Sequence, residues 1–282
     1  MKSRLTIAVV FLLMLVGVYL EGQQAPQPAE LDLVTVADDL YVIHNEFVPG
    51  NVTALVTDEG VILVDDKFAV DYDNIMRMLR TVTDQPVRYV VNTHHHGDHT
   101  GGNARMQAMG VQVIASEQAR RYMASGNLPG APTVTYEDRA YLHLGGKAVE
   151  LHYFGRAHTS GDTFVYLPAH RVLVTGDAFT QGMATPQLVD YQGGGSAKEW
   201  PATLDAALGL DFDTVIPGHG NVTDKAELQA FRDNAAAVVT GVQQMLADGR
   251  TPDEIGAALR SDFQGAQMVF PGAIDGLLVE LR

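Results

Sequence analysis

The stretch THHHGDHTGG at residues 93–102 constrains the fold of this chain more than any other feature. It follows VRYVVN (87–92), an apolar and β-branched run that predicts a buried strand. Four candidate metal ligands share the pattern H-x-H-x-D-H: His94, His96, Asp98 and His99. Side chains alternate along a strand, so His95 would point away from its two neighbours, and the glycines would let the chain turn back. Because imidazole and carboxylate both bind zinc, this strand end could serve two adjacent metal ions.

A two-metal site needs more ligands than this cluster offers, since a catalytic zinc keeps three protein ligands and one open position. Three further candidates follow apolar strands: His158 in LHYFGRAHTSGD, Asp177 in RVLVTGDAF and His219 in TVIPGHGNVTD. Loops at strand ends commonly hold reactive groups, and a carboxylate at position 177 could bridge two cations. Each residue alone also fits a structural role, but their shared placement favours one common site. The other histidines fit structural or surface roles: His44, His143, His152 and His170.

The chain resembles the metallo-β-lactamase-fold hydrolases in four stretches: THHHGDHTGG, GRAHTSGD, VLVTGD and IPGHG, which occur in the family's order. The resemblance spans residues about 60 to 222. It implies an α/β fold, namely an αββα four-layer sandwich in which two sheets pack together with helices outside.

The resemblance also implies how the ligands divide. One metal would take His94, His96 and His158, and the other would take Asp98, His99 and His219, while Asp177 bridges the two. Asp65, which ends the strand GVILVD, matches the family's acid that orients a ligand imidazole. Asp65 could equally cap the segment that follows it.

The branch of the family is less sharply indicated. The chain has no cysteine, so it does not belong to the β-lactamase subclass that uses a thiolate ligand and has arginine where His99 stands. A second lactamase subclass shares H-x-H-x-D-H but lacks the acid at position 177. The full ligand set is more similar to glyoxalase II, lactonases and other two-metal hydrolases. No lysine occurs between Asp177 and Lys198, where lactamases often bind the drug's carboxylate, which counts against lactam hydrolysis.

We therefore expect a zinc-dependent hydrolase that cleaves an ester, thioester, lactone or amide bond of a small molecule through a metal-bridging hydroxide. Asp98 would orient the nucleophile and relay its proton. Two zinc ions are the expected cofactors, with iron or manganese as alternatives. Three other functions stay open: a β-lactamase, a single-iron persulfide dioxygenase that would not need His99 and His219, and a non-catalytic metal-binding protein.

Composition supports one sizeable domain at 33–282, because the chain has 282 residues of which 46% are hydrophobic. The net charge of −15 and the lack of a basic stripe argue against nucleic-acid binding. Residues 1–22 carry two basic residues before an apolar run, which predicts a cleaved signal peptide or, alternatively, an uncleaved membrane anchor. Residues 23–32 read as a polar linker. The mature protein would be periplasmic or secreted, or else anchored facing the periplasm.

The remaining pattern predicts strands over 33–65, a helix at 72–83, alternating short elements up to 175, and an amphipathic helix at 224–247. Asp224 and Glu227 form a capping-box-like start for that helix. Residues 178–196 have no clear periodicity and contain three consecutive glycines, so we expect a mobile loop that could border the site.

Overall fold

A computed structural model describes residues 27–46, 48–183, 189–262 and 272–282. The predicted signal or anchor segment at 1–22 lies outside the described residues, as do residues 23–26 of the linker. Among the residues that are described, no helix is long and apolar enough to cross a membrane.

The first sheet has seven strands that lie side by side in chain order. They are β1 (Asp32–Ala37), β2 (Leu40–His44), β3 (Val52–Thr57), β4 (Gly60–Val64), β5 (Val87–Val91), β6 (Gln112–Ser116) and β7 (Val134–Tyr136). The first four pair antiparallel, and β4 to β7 run parallel. Parallel strands need crossover connections, and the helices described below supply them.

The second sheet has six strands in the order β13-β12-β11-β10-β9-β8. They are β8 (Arg139–Leu144), β9 (Lys147–His152), β10 (Phe164–Leu167), β11 (Val172–Gly176), β12 (Thr214–Pro217) and β13 (Thr223–Asp224). Only β11 and β12 are parallel to each other, and the other pairs are antiparallel.

The described α-helices are α1 (Tyr72–Leu79), α2 (Gly97–Thr100), α3 (Asn103–Ala108), α4 (Glu117–Ser125), α5 (Trp200–Leu208), α6 (Lys225–Ala247), α7 (Pro252–Asp262) and α8 (Ala273–Leu281). Helix α1 ends earlier than the expected residue 83, in a turn where the Thr81 hydroxyl donates to the Met78 carbonyl. The expected cap of α6 is present, because Asp224 accepts a hydrogen bond of 3.0 Å from the Glu227 amide. Neither α8 nor β7 was expected from the sequence.

Side chains that alternate along the central strands pack on opposite faces of each sheet and so connect the layers of the fold. In β4, Val61 and Leu63 pack toward α1 and α3, whereas Ile62 and Val64 pack toward the second sheet. In the second sheet, Leu173 packs toward the helices on the outer side. Both faces of these strands are therefore buried, which explains their nearly continuous apolar sequence. The result is the αββα sandwich that the resemblance implied, and the fold prediction is confirmed.

Asp39 joins the two sheets electrostatically from the turn between β1 and β2. Its carboxylate lies 2.6 Å from Lys147 Nζ and 2.6 Å from His170 Nε2, both of which belong to the second half of the sandwich. Burial would raise the pKa of Asp39, but hydrogen bonds from Lys147 and His170 outweigh it and hold the pKa below its ordinary value.

We expect Asp39→Asn to lower the free energy of unfolding by about 1 kcal/mol at neutral pH, because both ion pairs are partly exposed. The folded pKa lies below the unfolded one, so the carboxylate stabilises the protein above the unfolded pKa. This contribution is lost as the pH falls through the folded pKa. Urea titrations at several pH values should therefore show the variant and the parent converging in acid. Asp38→Asn, at the exposed neighbour, is the control, and an equal loss in both variants would contradict the assignment.

Candidate metal centre

The predicted ligands lie at the carboxyl ends of neighbouring strands from both sheets. His94 and His96 follow β5, while Asp177 and His219 follow β11 and β12. The sheets meet closely here: Gly176 has a φ of 52°, and a Cβ at this position would lie 2.5 Å from Thr93 Cβ. Glycine is required for this contact, because any side chain would push the two strand ends apart.

The structure brings all seven predicted residues together in two adjacent groups. We call His94, His96, His158 and Asp177 the first donor set, and Asp98, His99 and His219 the second donor set. Within each set, one donor atom from each residue lies within 4.8 Å of the others. His95 belongs to neither set and stacks on Tyr122 with ring centroids 3.7 Å apart, as strand alternation predicts. The grouping of the seven residues into two donor sets agrees with the predicted division, and the role of these residues as metal ligands stays a prediction.

Asp177 lies between the two donor sets. Its Oδ2 is 3.2 Å from His219 Nε2 and 3.6 Å from His158 Nε2, and its Oδ1 is 3.2 Å from His99 Nε2. One carboxylate therefore faces histidines of both sets, which is the position that a bridging ligand requires.

The buried carboxylate of Asp65 orients histidines of both sets. It accepts a hydrogen bond of 2.8 Å from His99 Nδ1 and one of 2.7 Å from the Thr93 hydroxyl. Because that hydroxyl donates to Asp65, it accepts from His94 Nδ1, which lies 3.1 Å away. Because Nδ1 of each ring is engaged in these contacts, both imidazoles present Nε2 to the centre, and His94 Nε2 keeps its lone pair. Asp65 thus occupies the role that the resemblance suggested.

The polar atoms at the centre fit a cation. His94 Nε2 is buried and has no hydrogen-bond partner among the described residues. Such an orphaned atom is costly unless a ligand satisfies it. Burial lowers the pKa of His94 well below its ordinary value, which favours the neutral imidazole that a metal needs.

The second donor set differs in its protonation. Burial alone would lower the pKa of His99, but the charges of Asp177, Asp98 and Asp65 raise it well above its ordinary value. A metal entering this set would have to displace a proton from His99. For Asp177, burial raises the pKa, and the neighbouring His219 and His99 outweigh it and hold the pKa well below its ordinary value.

Asp190 is a site residue that the sequence reasoning missed. Its Oδ2 lies 2.9 Å from His96 Nε2. Burial alone would raise the pKa of Asp190, but the imidazoles of His95 and His96 outweigh it and keep the pKa low. The segment around Asp190 has no periodicity, and an isolated acid in a loop gives no signal of such a contact.

The three glycines that follow Asp190 serve close packing. A Cβ at Gly193 would lie 2.6 Å from the His95 ring, and one at Gly195 would lie 2.3 Å from the His158 carbonyl oxygen. The described part of the loop is also held by backbone hydrogen bonds, including Asp190 N to His158 O at 2.9 Å. The mobility expected of this loop stays a prediction, and the contacts give the glycines a packing role. Residues 184–188 of the same loop lie outside the described residues.

Lys67 is a second residue that the sequence did not predict at the site, since lysine in a loop predicts exposure. Its side chain is fully buried, and Nζ donates to the Asn45 side chain and to the Gly50 carbonyl at 2.6 Å. Burial lowers the pKa of Lys67 to about 7. Asn51, which follows Gly50 in the chain, donates through Nδ2 to the carbonyls of Pro217 and Gly220, which lie on either side of His219. Lys67 thus fixes the segment that braces the second donor set.

Known proteins resemble this chain in both sequence and fold. A family model described as "Metallo-beta-lactamase superfamily" matches residues 45–219. A metallo-beta-lactamase type 2 of Bacillus sp. (strain 170) is 28% identical over 206 residues, which cover 69% of this chain and 76% of that protein. The 2,4-dinitroanisole O-demethylase subunit alpha of Nocardioides sp. (strain JS1661) is 31% identical over 150 residues, or 52% of this chain and 44% of that subunit. The solved metallo-beta-lactamase from Pontibacter korlensis superposes with a TM-score of 0.64 at 23% identity, covering 71% of this chain and 96% of that one.

We expect Gly50→Ala to weaken metal binding by the second donor set by about 10- to 100-fold. A Cβ at Gly50 would lie 2.2 Å from the His99 ring, so the imidazole would have to move. Gly97→Ala is the matched control, because a Cβ there meets nothing within 4 Å. Zinc titration against a chromophoric chelator measures both proteins. Equal affinities in the two variants would contradict the role assigned to Gly50.

We expect Thr93→Val to lower the free energy of unfolding of the metal-free protein by about 2 kcal/mol, because buried His94 Nδ1 loses its acceptor and Asp65 loses a donor. Thr53→Val is the control: the Thr53 hydroxyl is buried with no hydrogen-bond partner among the described residues, so its loss should be neutral or stabilising. Urea denaturation followed by circular dichroism measures both. Similar free energies of unfolding for the two variants would contradict the role assigned to the Thr93 hydroxyl between Asp65 and His94.

Proposed function

This chain belongs to the metallo-beta-lactamase superfamily of metal-dependent hydrolases, and we propose that within it the protein is a two-zinc hydrolase of carbonyl compounds. The substrate would be a small ester, thioester, lactone or amide. One observation carries the proposal: Asp177 faces histidines of both donor sets at 3.2 to 3.6 Å. A carboxylate that faces both sets is placed to bridge two cations. The presence of His99 and His219 as a second donor set, which a single-iron dioxygenase would not need, favours two zinc ions.

The first donor set would hold one zinc ion and the second donor set the other, with Asp177 shared. Bound zinc would supply a water nucleophile at neutral pH and an electrophile for the carbonyl oxygen. His96 and Asp98 are each 19% exposed, whereas the other donors are nearly inaccessible, so substrate would approach over these two side chains. Asp98 is the one acid of the second set and reaches this open face. We assign it the orientation of the attacking water and the acceptance of its proton.

β-Lactam hydrolysis is a second candidate, since two of the relatives are metallo-beta-lactamases of Bacillus. The absence of lysine between Asp177 and Lys198 removes one familiar partner for the drug's carboxylate. The similarity to an O-demethylase subunit adds an aryl methyl ether to the substrates worth testing.

We further propose that residues 1–22 direct export, which N-terminal sequencing of the mature protein would test.

The decisive experiment measures zinc content and turnover together. The purified protein should bind two zinc ions and hydrolyse at least one member of a panel of esters, thioesters, lactones, β-lactams and aryl methyl ethers. Chelation or His96→Ala should lower kcat/KM by about 1,000-fold, since a catalytic metal contributes several kcal/mol. His143→Ala, at an exposed histidine of β8, should leave it unchanged.

Three outcomes would count against this function. Turnover that is unchanged after chelation would exclude a role for the metal in the reaction. Oxygen consumption with a persulfide and a single bound iron would indicate a dioxygenase. Two bound zinc ions without turnover on any substrate would indicate a metal-binding protein.

A further inference from the structure

His96 presents its two ring nitrogens to different partners. Nδ1 lies 3.0 Å from His158 Nε2 and so faces the first donor set, while Nε2 lies 2.9 Å from Asp190 Oδ2. An ionised carboxylate only accepts hydrogen bonds, so Nε2 carries the proton in this contact. The lone pair is then on Nδ1, which is the nitrogen that faces the other donors.

Asp190 is itself held in place before any ligand arrives. Its Oδ1 accepts from the Gly193 amide at 2.9 Å, and its carbonyl accepts from the Gly195 amide at 2.7 Å. Its own amide donates to the His158 carbonyl, so the acid is fixed to the backbone of another member of the first donor set. The carboxylate therefore has a set position relative to two histidines of that set.

This arrangement repeats the one at the second donor set. There, Asp65 accepts from His99 Nδ1 at 2.8 Å and leaves Nε2 for the centre. At His96 the two nitrogens have the opposite roles, because Nε2 donates to the acid and Nδ1 faces the centre. In both cases a buried acid accepts the hydrogen bond from one ring nitrogen and increases the basicity of the other.

We infer that Asp190 is the positioning residue of the first donor set, holding the His96 imidazole in the tautomer and orientation that bind metal through Nδ1. The inference rests on the proposed metal centre. It assigns Asp190 no contact with the substrate. Its consequence is a metal affinity that depends on a loop lying far along the chain from the H-x-H-x-D-H motif.

A competing interpretation makes Asp190 a ligand. His95, His96 and Asp190 also have donor atoms within 4.8 Å of one another, and neither nitrogen of His95 has a hydrogen-bond partner among the described residues. However, His95 Nε2 lies 3.7 Å from Asp190 Oδ2, and a third cation would require His96 to lose both ring protons. The hydrogen bond at 2.9 Å already satisfies both partners, so we favour positioning over ligation.

Two substitutions separate the functions of the two carboxylate oxygens. In Asp190→Asn the amide oxygen keeps the turn bond from the Gly193 amide, and the side-chain NH2 group that then faces His96 Nε2 cannot accept its proton. In Asp190→Ser the hydroxyl can still accept from the Gly193 amide, as serine does in turns of this kind, while His96 loses its acceptor. Both variants should retain the circular dichroism spectrum of the parent. The serine variant keeps the test valid if the asparagine variant folds poorly.

The test is a zinc titration by chelator competition in two backgrounds. In His219→Ala, which disables the second donor set, Asp190→Asn or Asp190→Ser should weaken the remaining site by about 10- to 100-fold. In His158→Ala, which disables the first donor set, the same changes should leave the remaining affinity unaltered. Asp65→Asn should weaken the remaining site in the His158→Ala background, because it removes the acceptor of His99. NMR of the zinc-loaded parent with ¹⁵N-labelled histidine should show a protonated His96 Nε2 that is slow to exchange, and the signal should exchange rapidly in both Asp190 variants.

Each contrary result has a distinct meaning. Equal weakening in both backgrounds would reduce Asp190 to a general structural role and overturn the inference, as would unchanged affinity in both. A third zinc equivalent in the parent that disappears in Asp190→Asn would make Asp190 a ligand and overturn it as well. A parent protein that binds no zinc would instead refute the proposed function.

Discussion

The carboxylate of Asp65 is the contact on which the centre depends. Asp65 directly follows β4 in a left-handed conformation, with φ of 63°. Its carboxylate accepts hydrogen bonds from the Thr93 amide, the Thr93 hydroxyl and His99 Nδ1. These bonds fix the end of β5 and the first helical turn after it. The Thr93 carbonyl in turn accepts from the Thr163 amide at 2.7 Å, which ties this point to the second sheet. One buried acid thus sets two ligand imidazoles and the junction between the sheets.

The packing of the two sheets brings together donor residues that are distant in sequence. His94 and His219 are separated by more than a hundred residues, yet each follows a buried strand whose position is fixed by packing on both faces. The cost is a concentration of buried polar atoms, of which His94 Nε2 has no hydrogen-bond partner among the described residues. Burial of an unsatisfied polar atom is unfavourable by about 1 to 3 kcal/mol, a cost that a cation bound at this atom would offset.

The sequence predicted the parts of the centre that strand ends and ligand chemistry define. His94, His96, Asp98 and His99 follow a recognisable strand, and His158, Asp177 and His219 follow others, so strand periodicity located them. The division of the seven donors came from family resemblance and not from periodicity. Asp190 and Lys67 were missed because their contacts join loops distant in sequence, and neither loops nor single charges carry a periodic signal. The glycines at 193–195 suggested freedom, whereas their environment requires the absence of a side chain.

The last helix of the chain explains how a loop without periodicity keeps one conformation beside the centre. Glu280 in α8 accepts hydrogen bonds from the Tyr191 hydroxyl at 2.9 Å, from the Ser196 hydroxyl, and from the Lys198 amide at 3.2 Å. Gly276 lets the same helix lie directly on the Tyr191 ring, where a Cβ would come within 2.4 Å. These contacts hold the segment that directly follows Asp190, whose carboxylate contacts His96. The family match ends at residue 219, but the support of its first donor set extends to residue 280. Positioning of the first donor set therefore depends in part on a helix outside the matched range, whereas positioning of the second depends on Asp65 within it.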